Sequence, residues 1–328
     1  MEKAESYREE YLLKTPIYEG LGKNLCAALE LILHENKIDF LKVYYRIKGL
    51  DSFIEKIDRK EYTTPFEQTE DICGIRIICY FQKDVEKIQE LLNKELDVKE
   101  SEDKEDLLEV NQFGYRSHHL IAKIPSEWYK TPNFRNLKGL KTEIQVRTVL
   151  MHAWAEIEHK LSYKKKSHIP NDFKRKLFMI SAKLEESDEQ FQELKEKSEK
   201  LQHDIIAKAK SNQFDFSNIE SLDLDTFQAY LDFRFQNRIK NIEQTRSLLD
   251  ELLNAKVTIK DIESGYFSLE NFLKEIEVEV FEKAKAKGKW NQAGVVRNIL
   301  DLTNEKYLKT RDHSFASQVK ELKQKFNF

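Results

Sequence analysis

The pattern of hydrophobic and polar positions changes near residue 170. Before it, short runs rich in β-branched and aromatic residues alternate with helical patterns. The run Ile72–Phe81 is almost continuously apolar, which is typical of a central strand with both faces covered. Beyond Pro170 the chain has no further proline, and Lys, Glu and Leu recur at helical spacing. The contrast predicts an α/β domain over residues 1–168 and an all-helical module over residues 171–328.

Within the first part, alternation of period two predicts strands and spacing of three to four predicts helices. Strands are expected at Phe40–Lys48, Ile72–Phe81, Tyr115–Ile124 and Lys141–Arg147. Helices are expected at Leu21–Asn36, Asp51–Lys60 with an Asp cap, Val85–Leu92 and Thr148–Leu161. The predicted fold class is therefore α/β, with a mixed sheet of about five strands flanked by helices.

The second part is predicted to begin with one long helix from Asp172 to about Lys208. Leu177, Leu184 and Phe191 recur at seven-residue spacing, a pattern that fits a coiled-coil seam or an ordinary bundle helix. Further helices are expected at Phe227–Phe235, Ile239–Asn254, Leu269–Lys285 and Asn291–Leu302. No motif in this helical module decides among oligomerisation, binding of a regulatory partner and restraint of an active site.

Composition excludes several classes of protein. Among 328 residues, 40% are apolar and only 9 are Gly and 5 Pro, which argues against collagen and low-complexity chains. The 3 cysteines form no CxxC pair, which argues against a zinc site or a disulfide framework. No stretch approaches the roughly 20 apolar residues of a membrane helix. We therefore expect a cytoplasmic protein with no membrane partner, and a net charge of -3 argues against a general nucleic-acid coat.

Polar side chains are predicted to share one face on each of three strands. They are Lys42, Tyr44, Arg46 and Lys48; Tyr115, Ser117 and His119; and Glu143, Gln145 and Arg147. If the three faces coincide, one surface would carry cations that hold phosphates, a carboxylate that binds magnesium and a ring that stacks on a base. Taken alone, each strand is more typical of the solvated face of a half-buried sheet than of a functional site.

Four motifs together resemble a known family, the RelA/SpoT-type alarmone synthetases. They are Arg46-Ile47-Lys48 with Ser52 and Glu55-Lys56, Asp71-Ile72-Cys73-Gly74-Ile75-Arg76, Gly114-Tyr115-Arg116-Ser117-His118-His119, and Glu143-Ile144-Gln145-Val146-Arg147-Thr148. The segment Trp154–Leu161 is similar to the helix that follows in that family. The resemblance covers about Phe40–Lys166 and leaves the C-terminal half without a counterpart.

The resemblance implies an ATP-dependent pyrophosphokinase of the stringent response, which moves the β,γ-pyrophosphate of ATP to the ribose 3′-hydroxyl of GDP or GTP. It also implies the cofactor Mg²⁺ and specific residue roles. Arg46 and Arg76 would sandwich the adenine, and Lys48, Ser52, Lys56 and Arg59 would hold the ATP phosphates. Asp71 and Glu143 would bind magnesium, with Glu143 also activating the acceptor hydroxyl. Tyr115 would stack on the guanine, and His119 and Gln145 would line the acceptor site.

Two features leave alternatives open. The stretch Lys99–Phe113, before the Gly-Tyr motif, is acidic and would repel a nucleotide acceptor. Toxin-like members of the broad family instead modify the tRNA 3′ end, and Lys164–Lys166 with Lys174–Lys176 offer a basic surface for tRNA. A catalytically inactive nucleotide-sensing module is a third reading. His203-Asp204 lacks the further ligands of the family's hydrolase domain, so we expect a monofunctional synthetase.

Two local questions concern side-chain direction. In a straight strand Asp71 and Arg76 point to opposite faces, so both reach one site only if Asp71 precedes the strand or the chain bulges at Gly74. Glu156 and His159 share one helix face, a pattern that can bind metal. With no second motif of that kind, we expect His159 to be packed or hydrogen-bonded within the protein.

Overall fold

The structure is a computed structural model. It describes residues 2–103, 118–161, 171–211, 215–216, 219, 222–311 and 316–326. The chain forms two compact units, Met1–Leu194 and Lys195–Phe328. The division falls inside the long helix α6 (Asn171–Lys210). The domain limits expected from the sequence, at residues 168 and 171, therefore stay a prediction about folding units.

The first unit is built on one mixed sheet, as the sequence predicts. Its strands are β1 (Phe40–Ile47), β2 (Cys73–Cys79), β3 (Asp97–Asp103), β4 (His118–Lys123) and β5 (Lys141–Thr148). Their order across the sheet is β1-β2-β5-β4-β3. The two central strands, β2 and β5, run parallel, and every other neighbouring pair is antiparallel.

Strand β3 is not among the predicted strands. It covers the first part of the acidic stretch, where charged residues carry little β-propensity. It pairs with β4 at the edge of the sheet, where the other side of the strand has no neighbouring strand. Charged residues on such an edge oppose pairing with the strand of another molecule. The rest of that stretch, residues 104–113, lies outside the described residues.

The first unit contains the four predicted helices, two of which are longer than expected, together with further helices. They are α1 (Glu2–Glu35), α2 (Leu50–Lys60), α3 (Pro65–Gln68), α4 (Gln82–Glu95), α5 (Val149–Leu161) and the first part of α6, with a 3₁₀ turn at Trp128–Lys130. Helix α1 begins well before Leu21 and passes through Pro16. The expected Asp cap of α2 is wrong, because Gly49 is the N-cap and Asp51 lies in the first turn, where its charge favours the helix dipole.

The core of this unit lies on the apolar face of the sheet. Ile75, Ile77, Ile144 and Val146 of the two central strands are fully buried there. They share one cluster with the stripe Leu21, Leu25, Leu29 and Leu33 of α1 and with Val85 and Ile88 of α4. Cys26, Cys73 and Cys79 are buried in this core as free thiols. Because each buried Leu or Ile contributes roughly 1.5–3 kcal/mol, this face fixes the register of the strands.

Helix α6 contacts the first unit through polar side chains. Asp188 accepts a hydrogen bond from the Thr148 hydroxyl at 2.5 Å, and Gln192 accepts one from the backbone of Lys83 at 3.1 Å. Of the predicted seam, Leu177 and Leu184 are half-buried, whereas Phe191 is 51% exposed. The seven-residue spacing therefore does not describe a seam that is buried along its whole length.

The second unit is helical throughout its described residues. Its helices after α6 are α7 (Leu224–Arg234), α8 (Ile242–Ala255), α9 (Ile259–Leu269), α10 (Leu273–Lys283), α11 (Gln292–Thr303), α12 (Glu305–Leu308) and α13 (Ala316–Phe326). The helix predicted at Leu269–Lys285 is observed as α10, which begins later than expected, at Leu273, because Leu269 ends α9. Within the described part of the chain, no helix has the length and apolar character needed to cross a membrane.

Candidate active site

The register of the central strands aligns the polar side chains that the sequence predicts to share a face. Arg76 of β2 lies opposite Tyr44 of β1 on one side and Gln145 of β5 on the other, and Gln145 lies opposite His119 of β4. One row away, Arg46, Gly74 and Glu143 are aligned in the same manner. Residues paired across strands point to the same face, so four strands contribute to one polar surface.

A cavity of about 250 Å³ opens on this surface. Seven of the predicted site residues line it: Arg46, Lys48, Ser52, Asp71, Arg76, Glu143 and Gln145. Two further predicted residues contact the carboxylates of this cavity: Lys56 binds Asp71, and His119 contacts Glu143. Arg59 lies exposed on α2 and is not among the lining residues, and Tyr115 lies outside the described residues.

Asp71 is held between two lysines. It precedes β2, and Gly74 keeps regular pairing with both neighbouring strands, so no bulge is needed to bring Asp71 and Arg76 to one cavity. The Lys48 and Lys56 ammonium groups each donate a hydrogen bond to one of its oxygens at 2.9 Å. Burial alone would raise the pKa of Asp71, but the two lysines outweigh it and lower that pKa below its usual value. The carboxylate is therefore ionised at neutral pH.

Glu143 has a neighbour at each oxygen. Nδ1 of the buried His119 lies 2.6 Å from Oε1, and the Gln145 amide donates to Oε2 at 2.9 Å. Burial alone would raise the pKa of Glu143, but the hydrogen bond and charge of His119 outweigh it and lower that pKa. This arrangement gives an ionised carboxylate of fixed orientation, which is what a proton acceptor requires.

Arg76 is tied to neighbouring side chains. Its guanidinium donates to the Tyr44 hydroxyl at 3.1 Å and to Glu156 of α5 at 2.5 Å. Beside it, Arg147 is buried, and its Nε has no hydrogen-bond partner among the described residues. Burial and the charge of Arg76 lower the pKa of Arg147. Arg147 does not line the cavity, but two neighbouring guanidinium groups, one of them incompletely bonded, make this part of the polar surface attractive to an electron-rich or anionic group.

Comparisons with known proteins find relatives of the first part of the chain. A family model described as a region found in RelA / SpoT proteins matches residues 45–168. GTP pyrophosphokinase YjbM of Bacillus subtilis (strain 168) is 31% identical over 169 residues, which are 51% of this chain and 78% of that protein. GTP pyrophosphokinase YwaC of the same strain is 36% identical over 145 residues, or 43% of this chain and 65% of that protein.

This chain belongs to the RelA/SpoT family. The family resemblance read from the four motifs is thereby confirmed, and the chain is an enzyme of the pyrophosphokinase class. The crystal structure of small alarmone synthetase 1 from Bacillus subtilis is a similar solved structure, at 30% identity and a TM-score of 0.49. The alignment covers 58% of this chain and 97% of that synthetase. The same synthetase bound to its product pppGpp is 32% identical with a TM-score of 0.46, and covers 55% of this chain and 93% of that one.

The donor set of this RelA/SpoT-type cavity fits magnesium. Mg²⁺ prefers one or two carboxylates, together with water and substrate phosphates. Asp71 and Glu143 line one cavity and are close enough for the charge of Asp71 to act on the pKa of Glu143. Among the described residues, no cluster of three or more His, Cys, Asp or Glu side chains could hold a metal alone. A metal held by these two carboxylates would therefore take its remaining ligands from water and substrate.

Four neighbours of the site were not assigned to it from the sequence. Glu156 and Tyr44 bind Arg76, and the ring of His152 packs edge-on against Tyr44 at 6.2 Å between centroids. His159, which we expected to be packed or hydrogen-bonded, is an exposed residue that lines the cavity. Helix spacing gives the signal that could have found it, because Glu156 and His159 lie one turn apart on the face of α5 toward the polar surface.

Proposed function

We propose that this chain transfers the β,γ-pyrophosphate of ATP to the ribose 3′-hydroxyl of GDP or GTP, which yields (p)ppGpp and AMP. The observation that carries the proposal is one cavity where two ionised carboxylates, Asp71 and Glu143, meet cations from separate elements. Transfer of a phosphoryl-type group depends mainly on positioning and on neutralising charge, and this cavity supplies groups for both.

The ATP half of the site is assigned to the basic side. Arg46 and Arg76 lie on neighbouring strands, two residues apart in register, so their guanidinium planes can bracket an adenine ring. Lys48 and Lys56 now bind Asp71, and the polyphosphate of ATP would share these ammonium groups with that carboxylate. Ser52 lines the same cavity and adds a neutral donor. Arg59, exposed on the same helix, is proposed to meet the outermost phosphate.

The acceptor half is assigned to Glu143 and its neighbours. In the reaction the 3′-oxygen bonds to the β-phosphorus, the bond from that phosphorus to the α,β-bridging oxygen breaks, and AMP leaves with that oxygen. Glu143 is the group proposed to receive the 3′-hydroxyl proton, because it is ionised and oriented by His119 and Gln145. Magnesium bound by Asp71 and Glu143 would supply neutralisation of phosphate charge. Tyr115 is proposed to stack on the guanine.

The identity of the acceptor rests on the relatives. Both similar curated proteins are named GTP pyrophosphokinases, which supports a guanine nucleotide. In register, Glu102 of β3 lies opposite His119, so an acidic strand borders the acceptor side. Of the basic stretches that would meet tRNA, Lys164–Lys166 lies outside the described residues. Modification of tRNA is therefore an outcome that the test must be able to detect.

A pyrophosphate-transfer assay tests the proposal. Purified protein, magnesium and γ-labelled ATP are offered GDP, GTP, adenine nucleotides and bulk tRNA in separate reactions, with Glu143→Gln as the inactive control. We expect label on GDP or GTP. Label on tRNA alone would replace the proposed acceptor and retain the chemistry. Absence of label on every acceptor, in both the full chain and its first unit, would contradict the proposed function.

A further inference from the structure

A second cavity, of about 540 Å³, lies in the first unit and shares no described lining residue with the candidate active site. It is bounded by α1, by the short helix α3 and by the chain that enters β5, with the end of β4 on one side. Its volume is within the range of small-molecule sites and exceeds what a single inorganic ion fills.

Four lysines line this cavity: Lys14, Lys123, Lys138 and Lys141. Lys123 and Lys141 are direct cross-strand partners on β4 and β5, a placement of like charges that destabilises a sheet unless an anion lies nearby. Lys141 has such an anion, since its ammonium binds Glu70 at 2.7 Å. Among the described residues, neither Lys123 nor Lys138 has an ion pair, so two positive charges remain uncompensated.

The other wall of the cavity is apolar. Ile17, Tyr18, Phe66 and Leu140 line it, and the Lys14 ammonium lies 4.1 Å from the centroid of the Phe66 ring. Ile17 is 42% exposed, although it is a large aliphatic side chain. A ligand that placed a flat or aliphatic group here would bury this surface, while an anionic group at its other end met the lysines.

From these observations we infer that the second cavity binds a small organic phosphate, with its phosphate at Lys123 and Lys138 and its organic part against Phe66 and Ile17. Lys14 binds Glu10 at 2.6 Å, as Lys141 binds Glu70, so the charges left for a ligand are those of Lys123 and Lys138. Phosphate is favoured over a single carboxylate because its charge can exceed one and can meet both of these ammonium groups, each a compact point charge. Glu67 also lines the cavity, and its carboxylate would repel the anionic end of the ligand. We therefore expect that end beside the lysines. This inference does not depend on the proposed transfer activity.

Calorimetric titration of the full chain at fixed ionic strength tests the inference, with 1-naphthyl phosphate, inorganic phosphate and 1-naphthol as separate probes. We expect naphthyl phosphate to bind more tightly than either partial probe. In Lys123→Ala/Lys138→Ala its affinity should fall by at least about tenfold, because the two uncompensated charges are lost. This variant leaves the pair of Lys141 and Glu70 in place, so the fold is preserved.

Two controls locate the binding. Lys94→Ala/Lys130→Ala removes the same charge from exposed positions elsewhere and should leave the affinity unchanged. Arg46→Ala/Lys48→Ala alters the candidate active site and should also leave it unchanged. Loss of naphthyl phosphate binding in the active-site variant, equal losses in both lysine pairs, or no binding to the wild-type chain would each overturn the inference.

Discussion

At the scale of single residues, the two carboxylates of the candidate active site differ in their partners. Asp71 is neutralised by two ammonium groups, whereas Glu143 is held by an imidazole and an amide. Strong cationic partners suit a carboxylate that shares its oxygens with a metal and phosphates. A carboxylate with weaker, orienting partners is free to accept a proton. This difference supports the proposed roles, in which both carboxylates bind magnesium and Glu143 also accepts the proton.

We expect Glu143→Gln to lower the transfer rate by about 10²–10⁴-fold, since the amide neither accepts the hydroxyl proton nor carries charge. The amide oxygen can still accept a hydrogen bond from His119, so the fold should be preserved. The measurement is the rate with labelled ATP, accompanied by circular dichroism. Glu55→Gln, at an exposed position of α2, is the matched control. Near wild-type transfer by folded Glu143→Gln would refute the assigned role.

His119 is expected to set the pH range of activity. The hydrogen bond and charge of His119 lower the pKa of Glu143, so His119→Ala should let burial raise that pKa. Because the base must be ionised, the acid limb of the kcat/KM profile should move to higher pH in His119→Ala. His203→Ala, an exposed histidine of the second unit, should leave the profile in place. A fall in rate without displacement of the acid limb would limit His119 to a structural role.

Lys56 is expected to contribute pH-dependent stability through Asp71. The pKa of Asp71 is lowered in the folded state, so the stabilisation is complete above the ordinary value of 3.8 and is lost as pH falls through the lower folded value. The difference in free energy of unfolding between wild type and Lys56→Ala should therefore shrink below about pH 4. Urea unfolding at several pH values measures it, with exposed Lys60→Ala as control. A difference that is constant with pH would disagree with this linkage.

At the scale of elements, β2 leaves open space for the cavity at Gly74, because glycine carries no side chain. A Cβ built there would meet only the Arg46 carbonyl oxygen, at 3.8 Å, so the strand tolerates a larger residue. In register, Gly74 lies between Arg46 and Glu143, where an added side chain would occupy substrate space. The central strand thus supplies both the register and the open volume of the site.

We expect Gly74→Val to fold normally and to bind ATP at least about tenfold more weakly, because a β-branched residue fits a strand but fills the cavity. Calorimetry with a non-hydrolysable ATP analogue measures the affinity, and thermal unfolding measures the fold. Gly20→Ala is a suitable control, since its Cβ would meet no atom within 4 Å. Unchanged affinity for the analogue in Gly74→Val would show that substrate does not enter this part of the cavity.

At the scale of the whole molecule, every predicted site residue belongs to the first compact unit, Met1–Leu194. That unit includes the first part of α6, whose Asp188 and Gln192 bind β5 and the start of α4. The contacts of the first unit therefore extend beyond residue 168, and the domain limit that the sequence suggests stays a prediction. The role of the second unit in oligomerisation, regulation or restraint of the active site stays a hypothesis.

A fragment of residues 1–194 is expected to fold and to transfer pyrophosphate at least as fast as the full chain. A fragment of residues 1–167 should unfold at a lower temperature, because it loses the hydrogen bonds of Asp188 and Gln192, each contributing about 1 kcal/mol. Rates and melting curves of both fragments and the full chain test this. A higher rate in the longer fragment would support restraint by the second unit. Equal thermal stability of the two fragments would show that α6 does not stabilise the first unit.

The sequence by itself determined the mixed sheet, the polar face and most of the site, because strand alternation and the four motifs are local properties. The motifs place Arg46, Asp71, Arg76, Glu143 and Gln145 in one site, and these residues line one cavity. Strand β3 is missed because its charged residues satisfy only an edge, and the predicted helix at Leu21–Asn36 covers only the C-terminal part of α1. Propensity and periodicity describe an average strand or helix, and β3 and α1 depart from that average.

Only the tertiary structure decided which polar groups contact one another. The clamp of Lys48 and Lys56 on Asp71, and the contact of His119 with Glu143, join residues from different elements whose distances no local pattern contains. The same is true of His159, which reaches the cavity through the direction of α5, and of the four lysines around the second cavity. Alternation fixes the face of a side chain, but its partners and its pKa depend on the packing of elements that are distant along the chain.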